Sequence, residues 1–136
     1  MRRTLPLAAA VVLALGAFVL IQQGTRQQAL LVGGLLVLVG LPLLVLARRQ
    51  LGTAFAVTTK AKGLVTQGLY ARIPHPMYVF LDVTLLGAIV MLRHAWPLVL
   101  WAVLACVQTW RARRESMVLE QAFGDVYRDY RKHTLW

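Results

Sequence analysis

MYVFLDVTLLGAIVML (Met77–Leu92) and AWPLVLWAVLACVQTW (Ala95–Trp110) are two apolar runs joined by Arg93-His94. Each holds about sixteen residues, or roughly 24 Å of helix. That is slightly short of a bilayer's hydrocarbon core, so flanking residues extend the helices or the bilayer thins around them. Two further runs precede them, Leu5–Ile21 and Ala29–Ala47, each close to the length of a spanning helix. The chain has 136 residues, 59% of them hydrophobic, and a mean hydropathy of +0.64. This apolar content is gathered into runs, as in a membrane protein. The pattern predicts an all-α integral membrane protein of about four transmembrane helices with a C-terminal amphipathic helix. It is expected to be one domain over 1–136, with a first helix pair (1–47), a loop (48–76), a helical hairpin (77–110) and a tail helix (111–136).

The net charge is +10, but its distribution argues against nucleic acid. The cations sit between apolar runs, where they meet lipid headgroups. Arg2 and Arg3, then Arg48, Arg49, Lys60, Lys62 and Arg72, then Arg111, Arg113, Arg114, Arg128, Arg131 and Lys132 fall in alternate segments. Only Arg26 and Arg93 lie in the segments between. The positive-inside rule then puts both termini and the 48–76 loop in the cytoplasm, with a bacterial inner membrane as the expected location. Met1-Arg2-Arg3 and Ala14-Leu15-Gly16-Ala17 also fit a cleavable signal peptide, but the run continues to Ile21, longer than a signal's, and favours a retained helix.

The lone Cys106 allows no intramolecular disulfide and reads as a small buried hydrophobe. His75, His94 and His133 are too far apart for a metal motif, so no metal is expected. Trp96, Trp101 and Trp110 include candidate interface anchors.

Two polar-aromatic blocks flank the hairpin and share its cytoplasmic end. The first is Gly68-Leu69-Tyr70-Ala71-Arg72-Ile73-Pro74-His75-Pro76-Met77-Tyr78. A helix starting near Pro76 carries His75, Tyr78 and Asp82 on one face, at i, i+3 and i+7. Asp82 is an ionisable group inside an apolar run, which is rarely idle. The second block contains Arg111 and Glu115, spaced to pair on one face. Alone, that spacing describes a solvated helix with a weak surface pair. Its position at the foot of the hairpin gives it more meaning. Leu119, Ala122, Phe123, Val126, Tyr127 and Tyr130 continue as an apolar stripe, and Gly124 is expected to kink it.

Together these residues carry a resemblance. Gly68-x-Tyr70, His75-Pro76-Met77-Tyr78 and Glu115-x-x-x-Leu119-x-x-x-Phe123-Gly124-x-x-Tyr127-x-x-Tyr130 resemble the isoprenylcysteine carboxyl methyltransferase family, which is related to phospholipid N-methyltransferases. The resemblance covers roughly residues 60–132. It implies a membrane methyltransferase using S-adenosylmethionine, with Gly68, Tyr70, His75, Tyr78 and Glu115 at the cofactor. It also implies a catalytic role for Arg111, near the transferred methyl; an amine or thiol acceptor would have to lose a proton, for which His75 is the candidate catalytic acceptor. The implied partners are the lipid bilayer and a lipophilic acceptor. Three positions depart from the family pattern: Pro74 for Arg, Phe80 for Gly and Ser116 for a second Glu. A non-catalytic scaffold or inactive relative is one alternative. An NADPH-dependent membrane reductase is another, although those enzymes carry Asn where Met77 stands.

The charge bias makes topology directly testable. Reporter fusions at Gln67 and Trp136 are expected to read cytoplasmic, and those at Gln27 and His94 to read the opposite side. An outside signal at Gln67 or Trp136 would separate the two blocks from any cytoplasmic cofactor.

Overall fold

The computed structural model describes residues 5–52 and 66–134. Among them are four α-helices and no strand: α1 (Leu5–Gln23), α2 (Arg26–Leu51), α3 (Pro76–Leu92) and α4 (Pro97–Lys132). A short 3-10 turn, Gly68–Ala71, precedes α3. Met1, Arg2, Arg3, Lys60 and Lys62 lie outside the described residues.

The two short links close one end of the bundle. Thr25 starts α2 with a reciprocal cap. Its hydroxyl accepts from the Gln28 amide at 3.2 Å, and the Gln28 side chain accepts from the Thr25 amide at 2.9 Å. Arg93 ends α3 in the left-handed region, with φ 55°, turning the chain into α4. Its guanidinium donates to the Ile21 carbonyl at 3.3 Å, tying the end of α1 to this turn. The main core cluster gathers at the same end, from Ala17, Ile21, Ala29, Leu86, Ile89, Val90, Leu98 and Trp101.

Helices α2 and α3 form the most extensive pair. Their backbones approach where side chains are missing. A Cβ on Gly33 would fall 2.5 Å from the Gly87 carbonyl oxygen, and one on Gly40 2.6 Å from the Thr84 hydroxyl. Small residues at a helix crossing permit this close contact, which matters most where lipid supplies no hydrophobic drive between helices. Helix α2 is by length and composition able to cross a membrane. Helix α3 and the Ala8–Gln23 part of α1 are apolar but shorter. Large apolar side chains, among them Leu15, Leu31, Leu38, Val99 and Leu100, cover the outer faces.

Several expectations shift. Helix α2 runs four residues beyond Ala47 to Leu51, so Arg48 and Arg49 belong to its last turn, where cations favour the helix dipole. Gly52, at φ 50°, then ends it. The tail is not a separate helix from 111. Helix α4 continues through Trp110 because nothing there interrupts its hydrogen bonds. The break comes at Gly124, with φ 51° and ψ −121°. That break resets the helical phase, so Tyr127 is buried while Ala122 and Val126 are exposed and the stripe is interrupted. Trp101 is core rather than an anchor, and its Nε1 donates to the Asp82 carbonyl at 3.0 Å. Cys106 points outward instead of being buried.

Adjacent glycines provide a matched test of the α2–α3 contact. Gly33→Ala is expected to cost about 1–3 kcal/mol through overpacking. Gly34→Ala, with nothing within 4 Å of its Cβ, should stabilise by up to about 1 kcal/mol through helix propensity. Unfolding in detergent measures both.

Candidate active site

The residue before a proline is steered away from the helical region. His75 accordingly has φ −133° and ψ 62°, and Pro76 opens α3 at its first position. Tyr78 and Asp82 follow on the face turned toward α4. The opposing stripe on α4 is Trp101, Gln108 and Glu115, spaced seven apart. The helices run antiparallel, so the deepest rung pairs Trp101 with Asp82 and the outermost pairs Glu115 with Tyr78 and His75.

At the outer rung the Tyr78 hydroxyl donates to Glu115 Oε1 at 2.6 Å. His75 Nδ1 lies 3.5 Å from Glu115 Oε2, and His75 Nε2 lies 3.1 Å from Ser116 Oγ. The His75 and Tyr78 rings stack with centroids 6.0 Å apart. An imidazole carrying its Nδ1 proton donates to Glu115 and sets Nε2 against the Ser116 hydroxyl, matching this pattern. Burial opposes the charge on Glu115. The hydrogen bonds from His75 and Tyr78, with the His75 and Arg111 charges, outweigh it and hold the carboxyl below its usual range. A carboxylate has room for about four hydrogen bonds, so Glu115 keeps acceptor capacity. Its side chain is 28% exposed.

The Gly68–Ala71 turn closes beside this cluster. Gly68 has φ 61°, and a Cβ there would lie 2.5 Å from the Gln50 amide. Gln50, at the end of α2, accepts from the Leu69 amide at 2.8 Å and anchors the turn. Tyr70 is buried, and its carbonyl accepts from the Tyr130 hydroxyl at 2.6 Å. The Tyr70 phenol is raised well above its usual range, chiefly by burial, with Tyr130 and Glu115 adding and Arg48 opposing. Tyr130 is pushed up to about 12, again chiefly by burial. Neither phenol ionises near neutral pH.

A family model for phospholipid methyltransferases matches residues 28–126. The chain belongs to the phospholipid methyltransferase family. The match covers α2, the Gly68–Ala71 turn, α3 and α4 through its kink, and so contains the whole cluster except Tyr127 and Tyr130. No curated protein matches the chain, and no solved structure matches it.

For this phospholipid methyltransferase family member, His75, Tyr78 and Glu115 meet directly. Arg111, one turn before Glu115, acts on its charge. Tyr70 feels the same carboxylate, and Gly68 shapes the turn rather than touching the cluster. Sequence reasoning missed three partners. Ser116 was visible only as a missing Glu, yet it bonds His75. Gln50 was hidden in the run of α2. Gln108 is buried on α4 with its amide against the Tyr78 carbonyl and the Asp82 carboxylate. The seven-residue spacing of Trp101, Gln108 and Glu115 was the available signal.

Because the fold favours ionised Glu115, its stabilisation is complete above the ordinary value of 4.5. It is lost as pH falls through the lower folded value. Glu115→Gln is expected to remove that share of acid sensitivity. Detergent melts from neutral pH down to about pH 3 should show a flatter profile for the variant.

Proposed function

We propose that this chain is an integral membrane methyltransferase taking its methyl group from S-adenosylmethionine and passing it to a lipophilic or amphiphilic acceptor. The observation that carries this reading is the Glu115 cluster: a half-buried carboxylate held ionised beside two aromatic faces, at the foot of an apolar hairpin. Four helices cross the bilayer in this reading, with both termini and the cluster cytoplasmic.

The residues fit such a cofactor. Glu115 has acceptor capacity for an amino group. The His75 and Tyr78 rings offer π faces to a positive sulfur. The first turn of α3 has no side-chain cap, leaving amides for a carboxylate. S-adenosylmethionine, when bound, supplies an electrophilic methyl group on that sulfur. The chain's own contribution is alignment and exclusion of water, since methyl displacement needs little acid or base help. Arg111 holds an acidic acceptor end by a charge-assisted hydrogen bond. Where the acceptor carries a proton, His75 Nε2 receives it, Ser116 turning away. The acceptor's tail lies among the helices and enters from the bilayer.

Purified protein in detergent is expected to bind labelled S-adenosylmethionine and not NADPH. Glu115→Ala should weaken that binding by ~1.5–3 kcal/mol, the worth of a hydrogen bond to a charged group. Turnover should rise with acceptor chain length, at ~0.8 kcal/mol per buried methylene. Arg111→Ala should harm acidic acceptors most. NADPH binding would support the reductase alternative, and absence of both ligands would support an inactive relative, for which Ser116 in place of a second Glu is the motivating departure.

A further inference from the structure

The middle rung of the α3–α4 seam is used by none of the chemistry above. Gln108 is 5% exposed. With its amide nitrogen turned toward α3, it donates to the Tyr78 carbonyl at 3.3 Å and to Asp82 Oδ2 at 3.2 Å. Both facing groups are acceptors, and an amide NH2 carries two hydrogens, so donors and acceptors match in number. The opposite orientation would set the amide oxygen against two oxygens. Tyr78 is then gripped twice from the same α4 stripe: Gln108 binds its peptide carbonyl, and Glu115 receives its hydroxyl.

We infer that Gln108 is a positioning residue for the Tyr78–Glu115 pair, with Asp82 as the fixed acceptor that orients the Gln108 amide. Gln108 reaches no side chain of the outer rung itself. It sets the height and rotation of Tyr78 on α3, so that the phenol meets Glu115. Asp82, the ionisable group inside the apolar run, is the inner end of an interhelical clasp. The clasp lies in apolar surroundings, where few competing partners exist for either helix. This role deepens the methyl-transfer site proposed above and rests on that reading only for its effect on cofactor affinity.

The test uses the full chain in detergent with [13Cζ]tyrosine. The four tyrosines give four signals, and Tyr78→Phe identifies one of them. Glu115→Gln marks where that signal moves when the carboxylate acceptor is weakened. Gln108→Leu is expected to move the Tyr78 signal in the same direction. Gln108→Glu, of equal size but lacking the two donors, should do the same and serves if the leucine variant does not fold. Trp101→Phe removes the deeper carbonyl bond and should leave the Tyr78 signal in place. S-adenosylmethionine affinity should fall about two- to tenfold in the Gln108 variants, the span of one hydrogen bond, with the maximal rate less affected. An unmoved Tyr78 signal in a folded Gln108 variant overturns the inference. So does an equal shift from Trp101→Phe, which would mark general loosening. If the unaltered chain binds no S-adenosylmethionine, the methyltransferase reading fails, while the tyrosine signals still decide the role of Gln108.

Discussion

The close approach of α2 and α3 backbones at Gly33, Gly40 and Gly87 sets everything that follows. Where glycines bring two helix backbones into contact, van der Waals fit holds the helices together. With α3 against α2, Thr84 faces Gly40 and bonds back to its own Phe80 carbonyl, while the larger polar residues point elsewhere. His75, Tyr78 and Asp82 point at α4, which answers with Glu115, Gln108 and Trp101. The tight, dry contact on one side of α3 thus fixes a hydrogen-bonded seam on the other.

That seam explains how a carboxylate stays charged in a half-buried position. Desolvation alone would push the Glu115 carboxyl upward and disfavour its charge. Two donors from α3 and the neighbouring Arg111 outweigh that cost. Glu115 and Ser116 in turn restrict His75, both of whose nitrogens are engaged. Phospholipid methyltransferase family membership is therefore accompanied here by a polar cluster held together by its own residues, with Ser116 bonding the histidine where a second acid is missing.

Much of this was legible from the residues. Pro76 announces the start of α3, and the i, i+3, i+7 spacing puts His75, Tyr78 and Asp82 on one face. Gly124 marks the kink. The partners were less legible, because which α4 residues meet α3 depends on rotation and height between two helices. Gln108 looks like a stray polar residue in an apolar run until Asp82 is seen opposite. The boundary at 111 was misjudged for a related reason: polarity changes there, but helical hydrogen bonding continues until a residue permits the left-handed turn. Cys106 and Trp101 exchanged expected roles because an apolar run does not reveal which of its faces is inward.

The joint at Gly124 has a mechanical side. Beyond it, Tyr130 is fastened to the Tyr70 carbonyl, and Arg128 reaches back across the kink to Glu120 at 2.8 Å. A pull on this far segment, as from a fused domain, is therefore shared between the turn before α3 and the earlier part of α4. The load passes through Tyr130 to the Gly68–Ala71 turn, and from there through Gln50 to α2. The segment beyond Gly124 is thereby tied to the second helix as well as to the fourth from which it grows.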